Sequence, residues 1–297
     1  MDNLIDGRAI AGEIQAETAA RVIRLKAGGI TPGLVFIRVG EDPASQVYVA
    51  MKQKRATEVG IRSETKVLPQ NTTTAELLKL IDQFNADSTC HGILVQAPLP
   101  SPIDAPAVYS QVTATKDVDG FHPLNVGKLM LGDPSGFVPC TPAGIHELLI
   151  RYRIPVNGAE VVVLGRGNIV GKPMAAILLQ KGRQANATVT VCHSGTRDVT
   201  SHCQRADILI AAMGVPEFVR AHMIKPGATV IDVGVNRVID PTSKSGTKLV
   251  GDVAFSEVQP KAGRITPNPG GVGPMTIAML LANTVRAAEQ SVGMGRA

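Results

Sequence analysis

The feature that most constrains the fold is a series of short, β-branched apolar runs that alternate with helical segments. Four of these runs stand in the second half of the chain: "VVVL" (161–164), "ATVTVC" (187–192), "ADILIA" (206–211) and "ATVIDV" (228–233). Continuous apolar runs of this length are typical of central parallel strands that are covered on both faces. Because strands and helices alternate, the sequence predicts right-handed βαβ units and an α/β fold with mostly parallel sheets.

The first half of the chain carries the same alternation with weaker signals. Residues 8–27 have apolar side chains at helical spacing and are followed by Gly28 and Gly29, which predicts an amphipathic opening helix. A helix that contains Tyr48 and Lys52 and ends at Gly60 follows. Further elements are predicted in this order: strands at 34–40, 65–69 and 92–100, and a helix at 74–86.

A turn-rich stretch divides the chain. "GDPSGFVPCTP" (132–142) is dense in Gly, Pro and Asp and predicts a linker. We therefore expect one domain at residues 1–140 and a second at 141–269. The segment 270–297 contains a long helical pattern, and we expect it to fold back on the first domain.

Composition narrows the classes of function. The chain has 297 residues, 44% of them hydrophobic, which favours a folded globular protein of two domains. The net charge of +5 favours anionic small molecules, but no Lys/Arg block or basic-aromatic pattern indicates nucleic acid. Neither a signal segment nor a membrane span is evident, and the four cysteines are scattered. We therefore expect a cytoplasmic protein with reduced thiols and without a metal site.

A glycine loop in the second half predicts a dinucleotide site. "GRGNIVGKP" (165–173) stands directly between the run "VVVL" and a helical segment. In that context, backbone N–H groups and the helix N-terminus face a pyrophosphate. The spacing is one residue longer than the common fingerprint, and the alternative is a tight turn. The candidate cofactor-binding residues of this loop are Gly165, Arg166, Gly167, Ile169, Val170 and Gly171.

The residues that follow the next strand favour NADP over NAD. NAD enzymes generally place an acid about 20 residues beyond the glycine loop to bind the ribose hydroxyls. Here the positions after the strand include Ser194, Thr196 and Arg197, and Asp198 is the first acid. Arg166 lies within the loop itself. Hydroxyls and arginines suit a 2′-phosphate, so the sequence predicts NADP.

A tyrosine and a lysine share a helical face in "SQVYVAMKQK" (45–54). Tyr48 and Lys52 are four residues apart, so both side chains can reach the same cleft. The alternative is that Lys52 belongs to a short basic run with Lys54 and Arg55 on a solvated face.

Seven motifs in order resemble one enzyme family. They are "YVAMK", "VQAPLP", "KDVDGF", "GRGNIVGKP", "CHSGT", "VIDVGVN" and "PNPGGVGPMT". Together they resemble the bifunctional methylenetetrahydrofolate dehydrogenase/methenyltetrahydrofolate cyclohydrolase family over nearly the whole chain. The resemblance implies an N-terminal α/β folate domain, a Rossmann-like NADP domain, a substrate cleft between them, and a homodimer that acts on tetrahydrofolate one-carbon derivatives.

The resemblance also implies residue roles. Lys52 is the principal catalytic group beside the reacting carbon, and Gln96 hydrogen-bonds it. Tyr48 stacks on the folate, and Asp119 accepts hydrogen bonds from the pterin, whereas Asp117 is assigned to turn structure. Two further sets are Pro269, Gly270 and Gly271 against the substrate, and Val235 against the cofactor.

Two positions depart from the family pattern. Gly167 stands where the family usually has serine, and Asn268 stands where it often has an apolar residue. Two rival functions remain open: an amino-acid-dehydrogenase-like or shikimate-dehydrogenase-like oxidoreductase, and a catalytically silent folate- or nucleotide-binding protein. The combination of Lys52, Gln96 and Asp119 argues against the silent protein.

Overall fold

The computed structural model describes residues 3–243 and 246–294 and forms two compact units. The first unit comprises Gly12–Cys140 and the residues from Ile277 onward. The second unit comprises the residues up to Ala11 and Thr141–Thr276. None of the helices in the described ranges is long and apolar enough to cross a membrane.

The first half of the chain forms the predicted alternation of helices and strands. Its elements are α1 (Gly7–Ala27), β1 (Gly33–Val39), α2 (Pro43–Glu58), β2 (Arg62–Leu68), α3 (Thr74–Ala86), β3 (Gly92–Val95), α4 (Ala105–Gln111) and α5 (Pro123–Leu131). The three strands are parallel in the order β2-β1-β3. The helix α3 begins with a capping box between Thr73 and Glu76, a local signal that fixes its first residue.

The central strand β1 separates two hydrophobic cores of the first unit. Leu34 and Phe36 face one core, and Val35 and Ile37 face the other, as the two-residue period of a strand requires. The second of these cores is closed by α3 and α4. The first contains the apolar side of the last helix, α10 (Val272–Ser291), through Ile277, Leu280, Leu281 and Val285. From Ile277 onward, the last helix therefore packs within the first unit.

The second half of the chain forms a larger parallel sheet. Its elements are α6 (Cys140–Arg151), β4 (Glu160–Leu164), α7 (Gly171–Leu178), β5 (Thr188–Cys192), α8 (Val199–Arg205), β6 (Ile208–Ala211), β7 (Thr229–Asp232), β8 (Asn236–Ile239), β9 (Thr247–Val250), α9 (Phe255–Val258) and β10 (Arg264–Ile265). The parallel strands have the order β10-β7-β6-β4-β5, and β8 and β9 pair as an antiparallel hairpin. The strands β4, β6 and β7 are central, as the apolar runs predicted.

Three sequence expectations about these elements are corrected. The strand β5 lies at an edge of the sheet and is only half-buried, because its outer side has no neighbouring strand. The two-residue strand β10 was not predicted, since so short a segment carries no periodicity. The predicted linker 132–142 is partly structural: α6 starts within it, and Phe137 is buried in the core of the first unit.

The N-terminal residues belong to the second unit, although the sequence assigned them to the first domain. The N–H of Ile5 donates to the carbonyl of Ile265 at 2.8 Å, and the N–H of Ile265 donates to the carbonyl of Asn3 at 2.9 Å. The N–H of Asp6 donates to Tyr152 Oη at 2.7 Å. These contacts join residues far apart in sequence, and local periodicity carries no information about such pairing.

The packing of α1 yields a matched pair of stability predictions. Leu25 is 2% exposed in the core of the first unit, whereas Ile23, two residues earlier, is 69% exposed. Leu25→Ala is expected to lower the free energy of unfolding by about 2–5 kcal/mol, because it leaves a cavity. Ile23→Ala is expected to change it by less than about 0.5 kcal/mol. Denaturant titration measures both, and equal effects would contradict the burial assigned to α1.

Candidate active site

The helix α2 carries Lys52 on its buried face. Asp42 caps the helix by accepting a hydrogen bond from the Ser45 N–H at 2.7 Å, and Pro43 occupies its first turn. The buried positions, spaced three or four residues apart, are Ser45, Val49, Lys52 and Ala56. A lysine therefore stands in the apolar stripe, where a helix of this pattern would ordinarily place an aliphatic side chain. The alternative of a solvated basic run is wrong for Lys52, which is 5% exposed.

The Lys52 amine has two specific neighbours in the first unit. Its Nζ donates to Gln96 Oε1 at 3.0 Å and lies 4.7 Å from the centre of the Tyr48 ring. Burial lowers the pKa of Lys52 below its ordinary value of 10.5, and the charge of Asp119 opposes that shift. A lysine with a lowered pKa holds more of its amine in the neutral, proton-accepting form at a given pH than an ordinary lysine does.

Gln96 is held so that its oxygen faces the lysine. It directly follows β3, and its N–H continues the sheet by donating to the carbonyl of Ile37 at 2.8 Å. The side-chain Nε2 donates to the carbonyl of Ala97 at 2.6 Å. Since this bond fixes the amide's donor end, Oε1 is the end presented to Lys52. A neutral amide orients the amine without adding a charge that would stabilise the ammonium.

Asp117 and Asp119 stand two residues apart, but their carboxylates have different partners. The carboxylate of Asp117 accepts from the N–H groups of Gly120, Phe121 and His122 and from Asn125 Nδ2, at 2.7–3.2 Å. These four donors commit Asp117 to the turn before α5, as the sequence predicted. Its neighbour Asp119 is left to interact with side chains.

The Asp119 carboxylate forms an electrostatic pair with Lys52. Burial raises the pKa of Asp119, the charge of Lys52 opposes the rise, and Asp117 adds to it. Burial thus lowers the pKa of Lys52 and raises that of Asp119, and in each group the charge of the other opposes the shift. Sequence reasoning placed Lys52, Gln96, Tyr48 and Asp119 at one site, and the structure brings these four residues together.

Two neighbours of Asp119 were not identified from the sequence. Cys140 is buried and contacts the Asp119 carboxyl, and its Sγ–H donates to the carbonyl of Val118 at 3.3 Å. Burial and the Asp119 charge raise the pKa of the Cys140 thiol well above 9.0, so this thiol stays protonated. Burial and the nearby Asp119 charge raise the pKa of Tyr109, and the centre of its ring lies 5.6 Å from the centre of the Phe121 ring. Only the tertiary fold brings these residues to Asp119, so no local sequence signal could have identified them.

The glycine loop of the second unit joins β4 to α7 with close backbone contacts. Gly165 has a φ of +112°, and a Cβ there would lie 2.2 Å from the carbonyl oxygen of Ala212. A Cβ on Gly171 would lie 2.1 Å from the carbonyl oxygen of Gly165. Glycine is therefore required at both positions. Gly167, by contrast, has no positive φ and has open space around its Cα.

The loop fits a dinucleotide. The N-terminus of α7 has Val170 at its cap position and no side-chain cap. The Lys172 N–H donates to the carbonyl of Gly167 at 3.1 Å and Pro173 has no N–H, so the Gly171 N–H is the first-turn donor that can face an anion. Arg166 is exposed in the loop, and two apolar side chains of the second unit, Ile169 at 51% and Val235 at 70%, are also exposed. A nicotinamide dinucleotide needs such surroundings: a backbone N–H donor for its pyrophosphate and exposed apolar side chains for its flat rings.

The corner after β5, formed by residues 193–198, suits a phosphate better than a ribose hydroxyl. Asp198, the first acid beyond the loop, caps α8 by accepting from the Ser201 N–H at 3.2 Å. Ser194 and Arg197 are exposed. Thr196 is partly committed to the turn, because its Oγ1 accepts from the His193 N–H at 2.9 Å.

The remaining candidates, Pro269, Gly270 and Gly271, lie in the second unit. Gly270 has a φ of +113°, which favours glycine. Gly271 faces the N-terminal segment: a Cβ on Gly7 would lie 1.8 Å from the carbonyl oxygen of Gly271. The unusual Asn268 uses its Nδ2 to hydrogen-bond the carbonyl of Gly234, so its polarity serves a backbone contact.

A dinucleotide loop on a parallel sheet and a buried lysine beside a carboxylate define a two-domain α/β enzyme that uses a nicotinamide cofactor. Comparison with known families makes the assignment specific. Residues 5–119 match the catalytic domain of tetrahydrofolate dehydrogenase/cyclohydrolase, and residues 139–292 match the NAD(P)-binding domain of the same enzymes. The chain belongs to the tetrahydrofolate dehydrogenase/cyclohydrolase family.

Individual relatives agree with that assignment. The chain is 56% identical to the bifunctional protein FolD of Syntrophus aciditrophicus, over 98% of this chain and 99% of the relative. Its fold is similar to the bifunctional enzyme FolD of Campylobacter jejuni, with a TM-score of 0.92, 48% identity, and coverage of 97% and 98% of the two chains. The FolD of Trypanosoma brucei, solved with NADP and an inhibitor, has a TM-score of 0.92, 42% identity, and coverage of 99% and 100%.

These matches confirm the predicted fold class and the predicted pair of activities, dehydrogenase and cyclohydrolase, on tetrahydrofolate derivatives. They exclude the rival oxidoreductases, which belong to other families. The roles of individual residues stay predictions.

The glycine loop supplies a matched pair of substitutions. Gly165→Ala is expected to raise the KM for the dinucleotide by at least about tenfold, because a Cβ meets backbone and φ is positive. Gly167→Ser is expected to leave that KM unchanged or lower, because its Cβ enters open space and adds a hydroxyl donor. Dehydrogenase kinetics measure both, and a loss in Gly167→Ser equal to that in Gly165→Ala would refute the geometry.

Proposed function

We propose that this chain oxidises 5,10-methylenetetrahydrofolate with NADP and hydrolyses the product to 10-formyltetrahydrofolate, with Lys52 as the catalytic group of the hydrolysis. The observation that carries this assignment is the buried Lys52 amine, bonded to Gln96 and paired with Asp119. An absorbance assay with methylenetetrahydrofolate and each nicotinamide cofactor tests it. Absence of turnover with both cofactors would refute the proposal.

The oxidation requires the folate and the nicotinamide to be aligned for hydride transfer. A hydride leaves the one-carbon bridge between N5 and N10, and the bridge becomes the cationic methenyl carbon; no proton is abstracted. NADP, when bound, supplies the hydride acceptor. We assign Tyr48 to packing against the folate rings and Asp119 to accepting hydrogen bonds from the pterin N3–H and amino group. A carboxylate suits this task because both of its oxygens accept.

The hydrolysis requires a base. Water adds to the methenyl carbon and loses a proton, and the bond from that carbon to N5 then breaks as N5 gains a proton. We assign Lys52, in its neutral form, to accepting the first proton and to returning one to N5. Its lowered pKa favours that neutral form, and Gln96 keeps the amine directed. The backbone of Pro269, Gly270 and Gly271 is assigned to further contacts with the substrate.

The cofactor preference follows from the corner after β5 and the glycine loop. Arg166 and Ser194 are exposed and can meet a 2′-phosphate, and Asp198 is committed to its helix cap. The NADP bound in the Trypanosoma brucei relative supports this choice. We further propose that the first unit, which includes most of the C-terminal helix, is the folate domain, that the second unit, which the N-terminal residues join, is the NADP domain, and that the enzyme is a cytoplasmic homodimer. Sedimentation at the mass of two chains would support the dimer, and sedimentation at the mass of one would refute it.

Lys52→Met is expected to separate the two activities. Methionine keeps much of the side-chain length without proton chemistry, so cyclohydrolase activity should fall by about 10²–10⁴-fold. Hydride transfer, which needs no proton abstraction, should remain measurable, and methenyltetrahydrofolate should accumulate. The wild-type hydrolysis rate should rise with pH as Lys52 loses its proton, with a midpoint below 10.5, and the variant should lack this rise.

The control for this variant is Lys54→Met, an exposed lysine on the same helix, which should leave both activities unchanged. Equal loss of both activities in a Lys52→Met protein that still binds folate would show that Lys52 positions the substrate and is no base.

Arg166→Ala is expected to weaken NADP selectively. Loss of one charged hydrogen bond to a phosphate typically costs about 1.5–3 kcal/mol, so the KM for NADP should rise at least about tenfold. The KM for NAD should change by less than about twofold, because NAD lacks the 2′-phosphate. Equal effects on the KM values for NADP and NAD would show that another residue binds the 2′-phosphate.

A further inference from the structure

Two buried carboxylates stand beyond the carboxyl ends of the central strands in the second unit. Asp232 is the last residue of β7 and is 3% exposed, and Asp252 follows β9 and is 0% exposed. Neither has a role in the site described above. Buried carboxylates are costly unless they are hydrogen-bonded, so their partners indicate what they hold in place.

Asp252 holds the loop that follows β6. Its Oδ2 accepts from the N–H groups of Met213 at 2.6 Å and Gly214 at 2.9 Å, and its Oδ1 accepts from Asn236 Nδ2 at 2.9 Å. A Cβ on Gly234 would lie 2.2 Å from Asp252 Oδ1, so the segment after β7 also lies directly against this carboxylate. One side chain thus connects the loops that follow two adjacent strands.

Asp232 in turn holds Asp252. Its Oδ1 accepts from the N–H groups of Gly234 at 3.0 Å and Asp252 at 2.9 Å, and its Oδ2 accepts from the Val253 N–H at 3.2 Å. Burial raises the pKa of Asp232 to about 6, its three N–H donors oppose the rise, and the Asp252 charge adds to it. Above about pH 7 the carboxylate is therefore ionised and accepts all three bonds.

The loop held by Asp252 lies at the edge of the sheet where the strand order places a ligand site. The strand order β10-β7-β6-β4-β5 reverses direction at β4, since the chain passes from β4 to β5 on one side and then to β6 on the other. Open α/β sheets bind their ligands outside the carboxyl ends of the strands at such a reversal. The glycine loop after β4 is one wall and residues 212–214 after β6 are the other. They are in contact, because the Gly165 Cβ position lies 2.2 Å from the Ala212 oxygen.

We propose that Asp252, supported by Asp232, is a positioning residue for the dinucleotide. Its carboxylate fixes the Met213 and Gly214 N–H groups and thereby sets the wall of the crevice opposite the glycine loop. This inference rests on the proposed use of a nicotinamide dinucleotide. It predicts that loss of Asp252 weakens the binding of NADP and NAD equally, because the two cofactors are identical apart from the 2′-phosphate.

The test compares Asp252→Ala with Asp252→Asn in the full-length chain at pH 7.5. Asp252→Ala removes the acceptor for both N–H groups, so the KM values for NADP and NAD should each rise at least about tenfold. Asp252→Asn keeps one oxygen toward Met213 and Gly214, and Asn236 can rotate its amide to face the new amine; its KM values should stay within about threefold of wild type. Equal defects in the two variants would overturn the proposal.

Two further readouts separate positioning from unfolding. Hydrogen exchange should show the Met213 and Gly214 amides losing protection in Asp252→Ala while the amides of β4 and β6 keep theirs. Loss of protection throughout β4, β6 and β7 would show a role in folding and overturn the proposal. Cyclohydrolase activity, measured directly from methenyltetrahydrofolate without dinucleotide, should remain within about twofold of wild type; a matching loss there would also overturn it.

Asp207→Ala is the matched control. Asp207 directly precedes β6, at the end of the strand opposite Met213, and accepts from the Glu160 N–H at 2.9 Å. Its removal should leave both KM values within about twofold, and a tenfold rise would contradict a role specific to the crevice. Failure of the proposed function has a different signature, which is absence of dinucleotide turnover in the wild-type enzyme.

Discussion

The desolvation of one ammonium group is the constraint on which the cluster around Lys52 depends. Lys52 occupies a position of α2 that faces the core, and water is not available there to stabilise its charge. The Asp119 carboxylate opposes the loss of charge, and Gln96 adds direction without charge. A lysine held between these two influences is suited to exchange a proton with a substrate.

Each unit contains a pair of aspartates in which one carboxylate is fully hydrogen-bonded to its surroundings and supports the other. The Asp117 carboxylate accepts hydrogen bonds from four donors and thereby shapes the turn that carries Asp119. In the second unit, Asp232 accepts three N–H donors and holds the segment that carries Asp252. In each case a saturated buried carboxylate fixes the backbone that presents its partner. Rigid support of this kind keeps functional groups within the narrow tolerances that hydride transfer demands.

Glycine has two distinct uses in the cofactor loop. Gly165 and Gly171 are present because the backbone approaches too closely for any side chain. Gly167 occupies open space, so its lack of a side chain reflects no steric need of the fold. This distinction explains how the loop can depart from the family's serine at that position without loss of shape.

The sequence by itself determined the α/β class, the central strands β4, β6 and β7, the family, and Lys52 with its three neighbours Tyr48, Gln96 and Asp119, because periodicity and motifs are properties of short segments. Only the tertiary structure decided that β5 is an edge strand, that Asn3 and Ile5 pair with Ile265 in the second unit, and that Cys140 and Tyr109 lie beside Asp119. It also decided that Asp252 contacts the loop after β6, 38 residues away along the chain. Burial, pKa shifts and long-range hydrogen bonds arise from segments that meet only on folding, and local sequence patterns do not encode which segments will meet.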